Sequence, residues 1–161
     1  MFSQGEAAGF RAVSGAQQAI FVLAVQTWDD LVLTAFQQTT LSTSNIEFAF
    51  TSTNIDYAHA YYPTNGSAWF LTGSDVSSAT VGSYGFTTIM HELGHALGLD
   101  HMGDYNGDGN GTPSSFQDSR VLSIMSYFVR SGGIRSSDVI GADWIAETAP
   151  TTPHKRRCST T

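Results

Sequence analysis

Eleven consecutive residues, His91-Glu92-Leu93-Gly94-His95-Ala96-Leu97-Gly98-Leu99-Asp100-His101, constrain this chain more than any other stretch, and they hold three of its five histidines. The pattern is H-E-x-x-H-x-x-G-x-x-H. On a helix, residues four apart share a face, so His91 and His95 can offer two imidazoles to one ion. A glycine just past the last turn can take the left-handed conformation that ends a helix. Gly98 therefore lets the chain bend back and bring His101 to the same point. Three neutral imidazoles suit zinc, with bonds of about 2.0–2.1 Å and a fourth position left for water. Glu92 follows His91 by roughly 100° around the helix, which places it beside that water as a base rather than as a ligand.

Helical phase agrees. With His91 at zero and roughly 100° per residue, His95 falls near 40°. Phe86, Ile89, Met90, Leu93, Ala96 and Leu97 fall between roughly 140° and 260°. One face is predicted to enter the core and the other to carry the ligands. A buried helix with merely hydrogen-bonded histidines would need neither the glycine nor the third histidine.

The 161 residues suit one domain with one core, and the 41% hydrophobic fraction is that of a globular protein. A net charge of −7 argues against nucleic acid and acidic membrane surfaces as partners. Cys158 is the only cysteine, so the fold stands on packing and bound metal without an internal disulfide. Residues 1–25 show no signal-peptide pattern, and no apolar run is long enough to span a bilayer.

Ahead of the motif, residues 1–13 have no clear period. Ser14 and Gln17 have capping-box spacing, and Ala16, Ile20, Leu23, Thr27 and Leu31 form an apolar stripe widened by Ala19, Val22 and Trp28. This predicts a long helix over about 15–36 that covers a sheet. Alternating apolar residues predict a strand at Ile46–Thr51. Tyr57–Tyr62, stopped by Pro63, reads as a strand at or near an edge, and Ser67–Leu71 as the next after the Asn65-Gly66 turn. His59 reads as a packed or solvent-facing histidine on its strand. Thr72–Ser83 reads as a polar loop.

Beyond His101, Asp104, Asn106 and Asp108 with Gly109 match the first half of an EF-hand loop, whereas the twelfth position is Ser115 instead of a bidentate glutamate. Calcium at Asp104, Asn106 and Asp108 is one reading, and an Asp/Asn/Gly turn cluster is the blander one. Ser123-Ile124-Met125-Ser126-Tyr127 is the second informative motif. In isolation its methionine is core filler; some twenty-five residues after the histidines it has the place of a methionine turn beneath a zinc site.

With both motifs in view, the chain resembles the metzincin metalloproteases, and most of all the serralysin type. The resemblance runs over roughly residues 9–130 and takes in Gly9-Phe10, Gln17-Gln18, Gln26-Thr27-Trp28-Asp29-Asp30 and Asn45–Phe50. It continues through Gly94–Leu99, Gly103-Asp104-Tyr105-Asn106 and Asp118-Ser119-Arg120. It implies an α+β, zincin-like fold: a mixed sheet of about five strands packed on long helices, with an active-site cleft. It further implies that His91, His95 and His101 bind zinc and that Glu92 is the general base of a zinc endopeptidase. Tyr127 would be a further ligand that swings aside to stabilise the oxyanion, and Met125 a structural support. Substrate would lie as an extra strand along Ala58, His59, Ala60 and Tyr61. Protein or peptide substrates and an extracellular place of action follow from the same resemblance; the sequence does not fix the oligomeric state, and a monomer is the expectation.

The family continues past the position of Phe128 into a closing helix and a calcium-binding repeat domain. Asp138–Ile145 is expected to begin that region, but no Gly-Gly-x-Gly-x-Asp repeat follows. The expected division is a catalytic domain over 1–147 and a disordered basic tail over 148–161, as in a truncated or naturally minimal protease. The alternative is a non-catalytic, zinc-stabilised peptide-binding module, which an intact Glu92 disfavours. Matrix-metalloprotease relatives share the histidines and are disfavoured by Tyr127.

Overall fold

A computed structural model describes residues 4–40, 43–103, 105, 113 and 117–128. Its elements in order are α1 (Gln4–Ala7), α2 (Gly15–Asp29), β1 (Glu47–Thr51), β2 (Ala58–Ala60), β3 (Ser67–Leu71), a 3-10 turn (Asp75–Ser78) and α3 (Tyr84–Ala96).

The sheet order is β1-β3-β2, with β1 parallel and β2 antiparallel to the central β3. Ser67-Ala68-Trp69-Phe70-Leu71 is buried nearly throughout because both of its faces are covered. On one face Phe70 packs with Phe50 and with Phe21 of α2, at ring separations of 5.8 and 5.4 Å. On the other, Trp69 meets Phe10 edge-on. The expected sheet of about five strands is thus three strands among the described residues. The amino-terminal segment adds only an isolated antiparallel bridge between Arg11 and Phe50, because the chain then turns into the Ser14 cap of α2.

Residues 1–13 show no clear period, yet Glu6 on α1 is among the most buried side chains. Its Oε1 accepts a 2.8 Å hydrogen bond from the Tyr61 hydroxyl and lies 2.8 Å from His59 Nε2. Its carbonyl accepts from Thr51 Oγ1 at 2.7 Å. The amino-terminal segment therefore ties β1 to the far side of β2. His59 sits in this cluster as a packed histidine, as expected.

The capping box of α2 forms as predicted, but the helix ends at Asp29 and not near residue 36. Asp29 Oδ1 captures the Phe36 amide at 2.9 Å, and Leu31 and Leu33 emerge into solvent. Val32 and Phe36 then pack back on the Trp28 cluster from a non-helical segment. The buried face is also rotated from the predicted stripe. Phe21, Ala24, Thr27 and Trp28 face inward, while Ala16, Ala19, Val22 and Leu31 are exposed. The aromatic cluster of Phe48, Phe50 and Phe70 selects Phe21 and so sets the rotation. Trp28 Nε1 donates to the Met90 carbonyl at 3.1 Å and joins α2 to α3.

The strands differ from expectation only at their ends, with β1 starting at Glu47 and β2 confined to Ala58–Ala60. Thr72–Ser83 contains the 3-10 turn, pinned by buried Val76. The candidate calcium residues Asp104, Asn106 and Asp108, the segment 138–145 and the expected boundary at 147/148 lie outside the described residues. Among the described residues no helix is long and apolar enough to cross a membrane.

Candidate metal centre and cleft

Helix α3 starts at Ser83, whose hydroxyl accepts the Phe86 amide at 3.2 Å. Phe86, Ile89, Met90, Leu93 and Ala96 face the core as the phase predicts. The helix closes with the hydrogen bonds of a Schellman motif, from Gly98 N–H to the His95 carbonyl and from Leu99 N–H to the Gly94 carbonyl, both 2.9 Å. Gly98 has φ +99°, the left-handed conformation the spacing requires. The turn brings His101 back. The Nε2 atoms of His91, His95 and His101 lie 3.1–3.2 Å from one another.

The outer nitrogens explain what this triangle is for. His91 Nδ1 lies 2.8 Å from the Ile124 carbonyl, His95 Nδ1 2.8 Å from that of Leu99 and His101 Nδ1 2.8 Å from that of Tyr105. A carbonyl only accepts, so each Nδ1 carries a proton and each neutral ring turns a bare lone pair inward at Nε2. Burial holds His91 in that neutral form, with its pKa pushed down to about 3, and lowers His95 in the same way. Bare acceptors packed this closely repel unless a cation sits among them. A tetrahedral ion with bonds of about 2.0–2.1 Å sets its nitrogens roughly 3.3–3.4 Å apart, close to what is seen. The residues fit zinc.

Glu92 is buried beside the triad, and among the described residues its Oε2 has no hydrogen-bond partner. Burial pushes its pKa up to about 8, and a neighbouring cation would favour the charged form again. The Tyr127 ring stacks on His91 at 5.4 Å and tilts against His101 at 4.5 Å. Burial, then the charge of Glu92, pushes its phenol up to about 12. Met125 is buried against Gly94 of α3.

Ala58, His59, Ala60 and Tyr62 line an open cavity of about 210 Å³ together with Glu92, His95, His101 and Tyr127. The sheet register decides which backbone groups face it. Leu71 N–H donates to the Tyr57 carbonyl and Tyr61 N–H to the Ser67 carbonyl, so Tyr57, His59 and Tyr61 spend their backbone groups on β3. The N–H and C=O of Ala58 and Ala60 point the other way, and among the described residues no strand pairs with that edge.

The chain matches the model of the family described as Matrixin over residues 11–107. The chain belongs to the matrixin family. With the family comes the metzincin fold, here seen as its mixed sheet and long helices. Within it the chain is of the serralysin type. It is 41% identical over 133 residues to Serralysin A of Dickeya chrysanthemi, covering 74% of this chain and 28% of that protein. It is 36% identical over 135 residues to Serralysin of Photorhabdus laumondii, with the same 74% and 28% shares. It is also 35% identical over 148 residues to Metalloprotease AprA of Pseudomonas entomophila, covering 77% and 30%. The chain thus spans less than a third of the length of these relatives.

Pattern reading missed the polar frame of this matrixin site. Asp118 is buried and accepts hydrogen bonds from the Tyr105 and Ser126 hydroxyls, each 2.7 Å. It thereby joins the loop that holds His101 to the methionine turn. Tyr62 donates to Asp100 Oδ1 at 2.9 Å, and the same oxygen accepts the His101 amide at 2.8 Å. Neither connection has a local signal, since the partners are 13, 8 and 38 residues apart.

Proposed function

We propose that the chain is the catalytic part of a zinc-dependent endopeptidase, with His91, His95 and His101 as ligands, Glu92 as general base and Tyr127 as a further, displaceable ligand. The observation that carries this reading is the convergence of three bare Nε2 atoms beside a buried carboxylate, in a cavity lined by a strand edge that pairs with no strand among the described residues. A closed structural site would have no use for Glu92. Zinc held there supplies a Lewis acid that raises the acidity of water and polarises a carbonyl.

The rest is done by the chain's own residues. Ala58 and Ala60 hold the substrate backbone as an added strand, and their small side chains leave the cleft open. Glu92 accepts the proton given up by the attacking water and returns it to the leaving nitrogen, a role suited to an Oε2 that has no partner among the described residues. Tyr127 turns its hydroxyl to the tetrahedral oxyanion. Met125 has no chemical role. Substrates are proteins or peptides, and the chain acts outside the cell as a monomer.

Elemental analysis paired with cleavage of a quenched peptide before and after chelation tests the reading. One zinc per chain and chelator-sensitive cleavage are expected. Zinc with no cleavage would instead make the chain a peptide-binding module, and absence of zinc under zinc-replete conditions would remove both.

A further inference from the structure

Arg11 and Arg120 are the only Lys or Arg residues among those described, and Arg120 lies next to the methionine turn. Its contacts are arranged about a single residue. The Arg120 amide donates to the Phe128 carbonyl at 2.8 Å, and its Nε donates to the Ser126 carbonyl at 3.3 Å. These are the carbonyls of the residues on either side of Tyr127, the side-chain bond going to the residue before it and the backbone bond to the residue after it. The outer end of the guanidinium reaches across to α3, where it lies 3.5 Å from the Tyr84 hydroxyl and 5.2 Å above the Tyr84 ring. Among the described residues no carboxylate pairs with it, so it is not spent on an ion pair.

Tyr127 needs such support. No hydrogen bond holds its hydroxyl among the described residues, and its ring is placed only by packing on His91, His101 and Tyr105. A phenol that must alternate between two positions cannot be anchored at its tip. Its travel has to be defined from the backbone, and the carbonyls of both neighbouring residues, Ser126 and Phe128, are bonded to Arg120. Tyr84, at the first turn of the helix that carries His91 and Glu92, gives the guanidinium a seat fixed to the metal frame.

We infer that Arg120 is a positioning residue for Tyr127: it holds the carbonyls of the residues on either side of the tyrosine, Ser126 through its side chain and Phe128 through its amide, and refers them to the start of α3. The inference rests on the role proposed for Tyr127 and deepens it.

The test uses the zinc-loaded chain with Arg120→Met and Arg120→Lys, each in the native and the Tyr127→Phe background. Zinc content and thermal melting are checked first. In the native background Arg120→Met should lower kcat about ten-fold or more through misplacement, with KM changed less than about two-fold. Arg120→Lys, which keeps the charge without the fork, should fall between the two. In the Tyr127→Phe background either substitution should have little further effect, because the group it positions has gone. A second readout is the phenolate-to-metal charge-transfer band of the copper(II)-loaded chain, which should weaken or shift in Arg120→Met.

An undiminished kcat and an unchanged band in Arg120→Met would overturn the inference. So would a loss of the same size in the Tyr127→Phe background, since Arg120 would then act independently. If Tyr127→Phe alone leaves kcat intact and the native copper(II) form has no such band, the role of Tyr127 falls and this inference falls with it. That outcome is separable from the other two. Should Arg120→Met not fold, the lysine variant carries the same cycle.

Discussion

The sulfur of Met125 fills the space beside Gly94: a Cβ built on Gly94 would lie 2.5 Å from Met125 Sδ and 3.3 Å from Trp28 Cζ2. The methionine turn is seated on α3 at the one residue between the two helical histidines that has no side chain to obstruct it. Trp28, which is hydrogen-bonded to the Met90 carbonyl, closes the same space from α2.

Gly94→Ala therefore sets two effects against each other. Helix propensity favours alanine by up to about 1 kcal/mol, whereas overpacking costs about 1–3 kcal/mol. The flexible thioether softens the clash, so a net loss of about 1 kcal/mol is expected by denaturant unfolding. In a Met125→Ala background the loss should vanish, leaving only the propensity gain. A Gly94→Ala chain of unchanged stability with Met125 intact would show that the seat is loose.

Glu92→Gln keeps the shape and removes the base. Bound zinc should stay at one equivalent, while kcat for peptide cleavage falls by about 10²–10⁴-fold. An active glutamine variant would discard the general-base assignment.

Removing metal should cost stability as well as activity. The three Nε2 atoms converge only if a cation offsets their lone pairs, so chelation should lower Tm and zinc should restore it. Zinc at about 100 times its Kd would contribute about 2.7 kcal/mol. Thermal melting with and without chelator measures this, and identical curves would contradict the fit of the triad to an ion.

Glu6 predicts an acid limb of the stability curve. Burial opposes its charge, but the Tyr61 hydroxyl, its own backbone amide and His59 outweigh that, and its pKa falls below the ordinary 4.5. A group depressed on folding contributes stability that is fully present above the unfolded pKa and lost as pH falls through the folded one. Stability should thus fall with acid below about pH 4.5, and Glu6→Gln should flatten that slope while lowering stability at neutral pH. Urea unfolding at several pH values checks it, and parallel curves for the two proteins would refute it.

Much of the site was legible because its signals are local. The four-residue step from His91 to His95 and the glycine at residue 98 act through helix geometry and backbone sterics, which need no partner. The capping box of α2 and the buried strand Ser67–Leu71 were readable on the same grounds. The end of α2 was not, because it depends on Asp29 capturing the Phe36 amide and on Phe36 packing back against Trp28. His59 and Tyr61 were grouped with Ala58 and Ala60 as one edge. Only the pairing with β3 separates the residues whose backbone faces the cleft from those bonded inward.

By itself, then, the sequence determined which side chains can meet at one ion, since covalent spacing and the sterics of a single glycine act within a few residues. What charge state those imidazoles hold, which carbonyls orient them and which atoms of the edge are free was decided by tertiary structure alone. The reason is that Ile124, Asp118, Ser126 and Ser67 become neighbours of the site only after distant segments have buried their apolar faces together.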